Sequence, residues 1–111
     1  MSNLNTAFLG QLVEALTARY LRLELLPTIS AFYGIVIAMF FNDHHPPHFH
    51  ARYAEYRACI AMATGDPLDG ELPARAARLV KQWAELHRDE LEKNWGLARR
   101  LRPLEPIAPL P

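Results

Sequence analysis

The run at residues 42–50, Asn-Asp-His-His-Pro-Pro-His-Phe-His, constrains the fold of this chain more than any other segment. It directly follows the most apolar stretch of the sequence, at residues 34–41. Proline fixes φ near about −65° and has no backbone N–H to donate, so Pro46 and Pro47 cannot lie inside a helix or a central strand. The run therefore predicts a stiff connector between two strands.

Four of the five histidines lie within this run. From His48 onward the residues alternate with the strand period of two, which places His48, His50 and Arg52 on one face of a strand. The opposite face would carry Phe49, Ala51 and Tyr53. This pattern predicts a histidine site at the start of the strand.

Three interpretations of the histidine cluster remain open. In a metal site, His44, His48 and His50 would hold a divalent ion such as zinc. Asp43 would be a fourth ligand or would orient one of the rings. In a metal-free site, His48 and His50 would be the catalytic acid and base, with Arg52 stabilising phosphate charge. In a structural cluster, the rings would cap strand ends and bond to the backbone.

Composition narrows the class of protein. The chain has 111 residues and a formal net charge of zero, which predicts one domain without a general attraction to nucleic acid or membrane. Any RNA contact would need a local patch. The single cysteine, Cys59, excludes an internal disulfide and is expected to be a buried, inert thiol. No signal peptide or membrane-length apolar stretch is evident, so we expect a cytoplasmic protein.

Apolar periodicity predicts an α+β fold. Residues 5–23 have the spacing of an amphipathic helix, within an N-terminal helical extension at residues 1–26. Residues 28–41 predict a strand or strand pair, and residues 48–53 and 56–62 predict a hairpin around Ala54-Glu55. With a short strand at Glu71-Leu72, these segments make a small antiparallel sheet of three to four strands.

The C-terminal part of the chain predicts two helices packed on one face of that sheet. Pro73 is suited to the first helical position, and the apolar stripe changes phase near His87, where Asp89 could cap a second helix. Trp83 and Trp95 are expected to anchor the core. The sequence thus predicts one α+β domain at residues 27–102 and a proline-rich tail at residues 103–111.

Several segments resemble a small bacterial family, family 4160 of the domains of unknown function. They are the segments at residues 27–30, 32–37, 41–44, 46–51, 70–73, 79–83 and 94–95. The resemblance spans residues 27–107. The chain departs from many family members at His45, where they have Asn, and at Ala54-Glu55, where they often have Gly-Gly. Because genes of this family often lie beside those of family 2442, the resemblance implies a toxin–antitoxin-like pair.

The favoured hypothesis is a toxin-like protein that acts on RNA and is neutralised by a small partner of the family 2442 type. The catalytic residues would be His48, His50 and Arg52, and the binding residues would be Asn42, Asp43 and Arg57. The alternatives are a zinc-type metal-binding domain built on His44, His48 and His50, or a non-catalytic regulatory or interaction module. The residues leave open whether the chain is an enzyme, whether it takes a cofactor and whether it forms a homo-oligomer.

Overall fold

The structure, a computed structural model, describes residues 27–111. In this part of the chain a single antiparallel sheet is followed by two helices, which confirms the α+β class. The strands are β1 Thr28–Phe32, β2 Ile35–Ala38, β3 His48–Tyr53, β4 Tyr56–Ala61 and β5 Pro67–Gly70, paired in sequence order. The helices are α1 Ala74–Leu86 and α2 Arg88–Arg99. The helix predicted at residues 5–23 lies outside the described residues.

Two tight hairpins set the register of the sheet. Tyr33 and Gly34 connect β1 to β2 with φ values of 49° and 80°. Ala54-Glu55 connects β3 to β4, and Ala54 adopts a φ of 51° although it is not glycine. The strand pair and the second hairpin are therefore confirmed, with β4 one residue shorter than the predicted 56–62 segment.

The predicted number of strands, three to four, is wrong, because the sheet has five. Pro67–Gly70, which the sequence did not predict to be a strand, forms β5, whereas Glu71-Leu72 is not a strand. All four residues of β5 are exposed, so the strand has no apolar alternation to reveal it, and Pro67 is tolerated because it begins an edge strand. Gly70 is required there, since a Cβ would collide with the carbonyl oxygen of Arg57.

The core lies between one face of the sheet and the two helices. Phe49 and Ala51 of β3 point into it and are 0% and 2% exposed. Trp83 of α1 is fully buried, with its ring centroid 5.6 Å from that of Phe32 and 5.7 Å from that of Phe49. Trp95 of α2 is 8% exposed. The two tryptophans are core anchors, as predicted.

The helices separate at His87, where φ is −114°, which confirms the predicted break. The predicted cap at Asp89 is wrong: His87 occupies the cap position, and no side chain caps the helix end. Asp89 lies in the first turn of α2, where a carboxylate interacts favourably with the helix dipole. Over residues 27–111, no helix is long and apolar enough to cross a bilayer.

The tail at residues 103–111 packs on the domain. The backbone N–H of Ile107 donates to the carbonyl of Ile29 at 2.7 Å, and the Ile107 side chain is 4% exposed. Asn94 of α2 donates to the carbonyl of Glu105 and accepts from its N–H, both at 2.8 Å. These contacts tie the end of the chain to β1 and α2.

Candidate functional site

The connector between β2 and β3 is docked on the C-terminal end of α2. The backbone N–H of Asn42, a residue with a φ of 49°, donates to the carbonyl of Ala98 at 3.0 Å. Arg99 donates from Nη1 to the carbonyl of Asp43 at 3.2 Å. Asp43 is further fixed by the His44 amide, which donates to its Oδ1 at 2.9 Å. The loop thereby holds the Asp43 carboxylate over the first residues of β3.

One carboxylate oxygen faces two imidazoles. Oδ2 of Asp43 lies 3.0 Å from Nε2 of His48 and 3.2 Å from Nε2 of His50. Nδ1 of His48 lies 2.8 Å from the Pro46 carbonyl oxygen, which can only accept, so this nitrogen carries a hydrogen. In neutral His48 the Nε2 lone pair then faces the carboxylate. A cation, either a proton or a metal ion, is needed between these two acceptors.

The cluster is buried at one end and open at the other. The side chain of His48 is 2% exposed, those of Asp43 and His50 are 15% and 24% exposed, and that of His44 is 81% exposed. Nε2 of His44 lies 3.7 Å from Oδ1 of Asp43. A ligand held by Asp43, His48 and His50 would therefore be accessible from the side of His44.

The protonation states of Asp43 and His50 favour metal binding. Burial works to raise the pKa of Asp43, but hydrogen bonds from the His44 amide and the His50 ring, with the charges of His48 and His50, outweigh it and place that pKa below its usual range. Burial lowers the pKa of His50, and this effect exceeds the opposing hydrogen bond to Asp43. A carboxylate beside a neutral imidazole is the form in which both groups bind metal.

The distances fit a small metal ion. Ligands about 2.0–2.1 Å from a tetrahedral zinc ion lie roughly 3.3 Å from one another, close to the separations between Asp43 and the two rings. Asp43, His44 and His48 offer atoms that all lie within 4.8 Å of one another, and so do His48, His50 and Cys59. The Pro46 carbonyl on Nδ1 of His48 is the type of partner that fixes the tautomer of a metal-bound histidine.

A groove on the face of the sheet opposite the two helices adjoins this cluster. It has a volume of about 200 Å³ and is lined by Thr28, Val36, Ala38, Phe40, His50, Ala51, Arg52, Arg57, Ala58, Cys59, Asp69 and Gly70. His50 is opposite Cys59 in the β3–β4 register, and Arg52 is opposite Arg57. The groove therefore has a histidine and a thiol beside the cluster of Asp43, His44 and His48, and two arginines farther along the strands.

The expectation that Cys59 is a buried thiol is wrong, because Cys59 is partly exposed in the groove. Its Sγ lies 3.5 Å from Nδ1 of His50, so Cys59, His50 and Asp43 form a chain like that of a nucleophile, a base and an orienting carboxylate. Burial raises the pKa of the Cys59 thiol, and the nearby carboxylates of Asp69 and Asp43 raise it further. A cysteine nucleophile needs the opposite shift, so this chain is poorly suited to thiolate catalysis.

The structure brings together most of the residues predicted from the sequence. His44, His48, His50 and Asp43 form one cluster. Arg52 and Arg57 lie in the adjoining groove, whereas Asn42 is exposed and anchors the loop through its backbone.

Sequence reasoning missed the placement of Cys59, Asp69 and Arg99. The predicted hairpin contained a signal for Cys59, since a turn at Ala54-Glu55 already sets that residue opposite His50. No comparable signal existed for Asp69 on the unrecognised strand. Arg99 approaches Asp43 only through the tertiary fold.

Comparisons with known proteins give one match. The sequence profile described as "Domain of unknown function (DUF4160)" matches residues 34–96. No curated protein and no solved structure matches the chain. The matched range includes Asp43, the clustered histidines and both arginines of the groove.

Proposed function

The chain belongs to the DUF4160 family, and we propose that it binds one zinc-type metal ion and uses it for hydrolysis. The ligands are Asp43, His48 and His50, with His44 close enough to complete the set. The observation that carries this proposal is the shared oxygen of Asp43, which lies 3.0 Å and 3.2 Å from two imidazole nitrogens. Two ring nitrogens that point at the same carboxylate oxygen can bind one metal ion together with that carboxylate.

The chemistry follows from the open side of the cluster. A zinc-type ion held by Asp43, His48 and His50 would supply an activated water as the nucleophile for hydrolysis at neutral pH. In hydrolysis, the water oxygen forms the new bond to the substrate, the bond to the leaving group breaks, and the water proton passes to that leaving group. The Pro46 carbonyl holds His48 through Nδ1 and leaves Nε2 directed at Asp43, while His50 presents one edge to the groove.

Metal analysis of protein purified without a histidine tag tests this proposal. After equilibration with zinc and dialysis, we expect one zinc ion per chain in the wild type and its loss in His48→Gln and His50→Gln. His87→Gln is the matched control, since His87 contacts Glu90 on α2, away from the cluster. Wild-type protein without zinc, or equal zinc in all the variants, would refute the proposal.

The hypothesis of a toxin-like protein acting on RNA stays a prediction, as do its family 2442-type partner and a cytoplasmic location, and the oligomeric state stays open. The placement of Arg52 and Arg57 beside His50, and of Arg99 against the Asp43 carbonyl, supports it. We expect growth arrest when wild-type protein or His87→Gln is induced in a bacterial host, but not with His50→Gln at equal soluble levels. Normal growth in all three cultures would rule out this second function.

A further inference from the structure

Two arginines lie side by side on the groove. Arg52 and Arg57 are direct cross-strand partners, and both are exposed. Within residues 27–111, neither guanidinium forms a hydrogen bond or an ion pair. Like charges directly opposite in an antiparallel pair destabilise a sheet, so this pair weakens the β3–β4 hairpin unless an anion lies between the side chains. The arrangement indicates a ligand with negative charge.

We propose that Arg52 and Arg57 bind the phosphate group of a phosphate ester, which is the substrate of the metal centre. This inference rests on the proposed function, because the metal ion held by Asp43, His48 and His50 would act on the phosphate that the arginines bind. Both His50 and Arg52 line the groove from β3. The two residues are two positions apart on one strand face, a separation of about 6.6 Å.

That separation suits a bridging phosphate. At this backbone spacing the long side chain of Arg52 can reach toward the His50 ring, so a phosphate held by charge-assisted hydrogen bonds of about 2.8 Å can lie between the two side chains. A phosphate that accepts hydrogen bonds from Arg52 and Arg57 would then lie next to Asp43, His48 and His50, the residues that would hold the metal ion. Arginine is well suited to this task because its planar group donates two parallel hydrogen bonds to phosphate.

The rest of the groove limits what the phosphate can be attached to. Val36, Ala38 and Phe40 provide apolar lining, and the Phe40 ring lies 4.2 Å from that of His50. Asp69, opposite Cys59, adds a carboxylate that accepts hydrogen bonds from hydroxyl groups and repels a second phosphate. The open groove, about 200 Å³, has room for one phosphate and part of the group attached to it.

Phosphate binding by calorimetry tests the inference, with inorganic phosphate, a nucleoside monophosphate and a short single-stranded RNA as three separate probes. Each is titrated into zinc-loaded and zinc-free protein. We expect Arg52→Gln and Arg57→Gln each to weaken binding at least about tenfold, because each removes a charge-assisted contact. Arg78→Gln is the matched control: it makes the same change in charge at an exposed position on α1.

The outcomes separate the two proposals. Binding of the nucleoside monophosphate that depends on both arginines identifies a phosphate monoester, whereas dependence seen only with RNA identifies an internal phosphodiester; either supports the inference. Arginine-dependent binding without any zinc uptake would refute the metal centre and leave the phosphate site intact. If Arg52→Gln and Arg57→Gln bind every probe like Arg78→Gln, or if no probe binds the wild type, the phosphate site is refuted.

A separate measurement guards against misfolded variants. Because Arg52 and Arg57 repel each other across the hairpin, Arg57→Gln should raise the unfolding temperature of the ligand-free protein while weakening phosphate binding. Opposite changes in stability and binding are not expected of a residue whose role is only structural. If Arg57→Gln lowered both the unfolding temperature and the affinity for phosphate, repulsion between the two arginines would not explain the result.

Discussion

Replacing Asp43 by asparagine should remove most of the stabilisation that zinc gives the protein. Within residues 27–111, Asp43 is the only carboxylate in contact with His48 and His50, and its Oδ2 is shared by both rings. Asparagine keeps the shape and a hydrogen-bond acceptor but loses the charge, so the ligand-free fold should be little changed. The metal site, in contrast, loses its anionic ligand.

The size of the effect follows from linkage. Zinc at 1,000 times its Kd stabilises the native protein by about 4.1 kcal/mol, and a roughly 100-fold loss of affinity reduces this to about 1.4 kcal/mol at the same concentration. Because 1 kcal/mol corresponds to about 4–8 °C in a domain of this size, the zinc-induced rise in Tm should be smaller by roughly 10 to 20 °C in the variant.

Thermal unfolding followed by circular dichroism, with and without zinc, measures this difference. Asp66→Asn is the matched control, since Asp66 pairs with Lys81 at an exposed site and should leave the zinc response unchanged. If Asp43→Asn gains as much from zinc as the wild type, Asp43 is not a ligand. The reasoning from the shared oxygen would then be refuted.

Two further predictions concern the scaffold that holds the site. Ala54→Gly should stabilise the protein by about 0.5–1 kcal/mol, because a φ of 51° is strained for alanine. Ala77→Gly inside α1 should instead destabilise it by about 1 kcal/mol. Urea unfolding measures both changes in the free energy of unfolding, and changes of the same sign would contradict this reasoning. Asn94→Ala should cost about 1–3 kcal/mol, because both backbone groups of Glu105 lose their partner. Faster proteolysis of the C-terminal tail in Asn94→Ala is expected, and unchanged cleavage would argue against this contact as the anchor.

The sequence was informative wherever local pattern decides structure. Alternation from His48 to Tyr53 and the turn at Ala54-Glu55 predicted the central hairpin, and the two prolines predicted the connector. Strand β5 could not be predicted in this way, because it pairs with β4 through its backbone and buries no side chain. Its discovery depends on the tertiary fold.

The same contrast applies to the site. Its histidines and Asp43 could be named from their clustering in the sequence, since they are at most a few residues apart. Two features of the site depend on the packing of α2 against the connector. Both rings face one oxygen of Asp43, and Arg99 holds the loop from 56 residues away. Long-range contacts of this kind have no periodic signal in the sequence.

The most direct test of the metal centre is a crystal structure of the zinc-loaded protein with anomalous diffraction at the zinc absorption edge. We predict one peak, about 2.0–2.2 Å from an Asp43 carboxylate oxygen and from Nε2 of both His48 and His50. The control is the same measurement on Asp43→Asn, in which the peak should weaken or vanish. A peak bound elsewhere, or no peak with both rings still in direct contact with Asp43, would contradict the account.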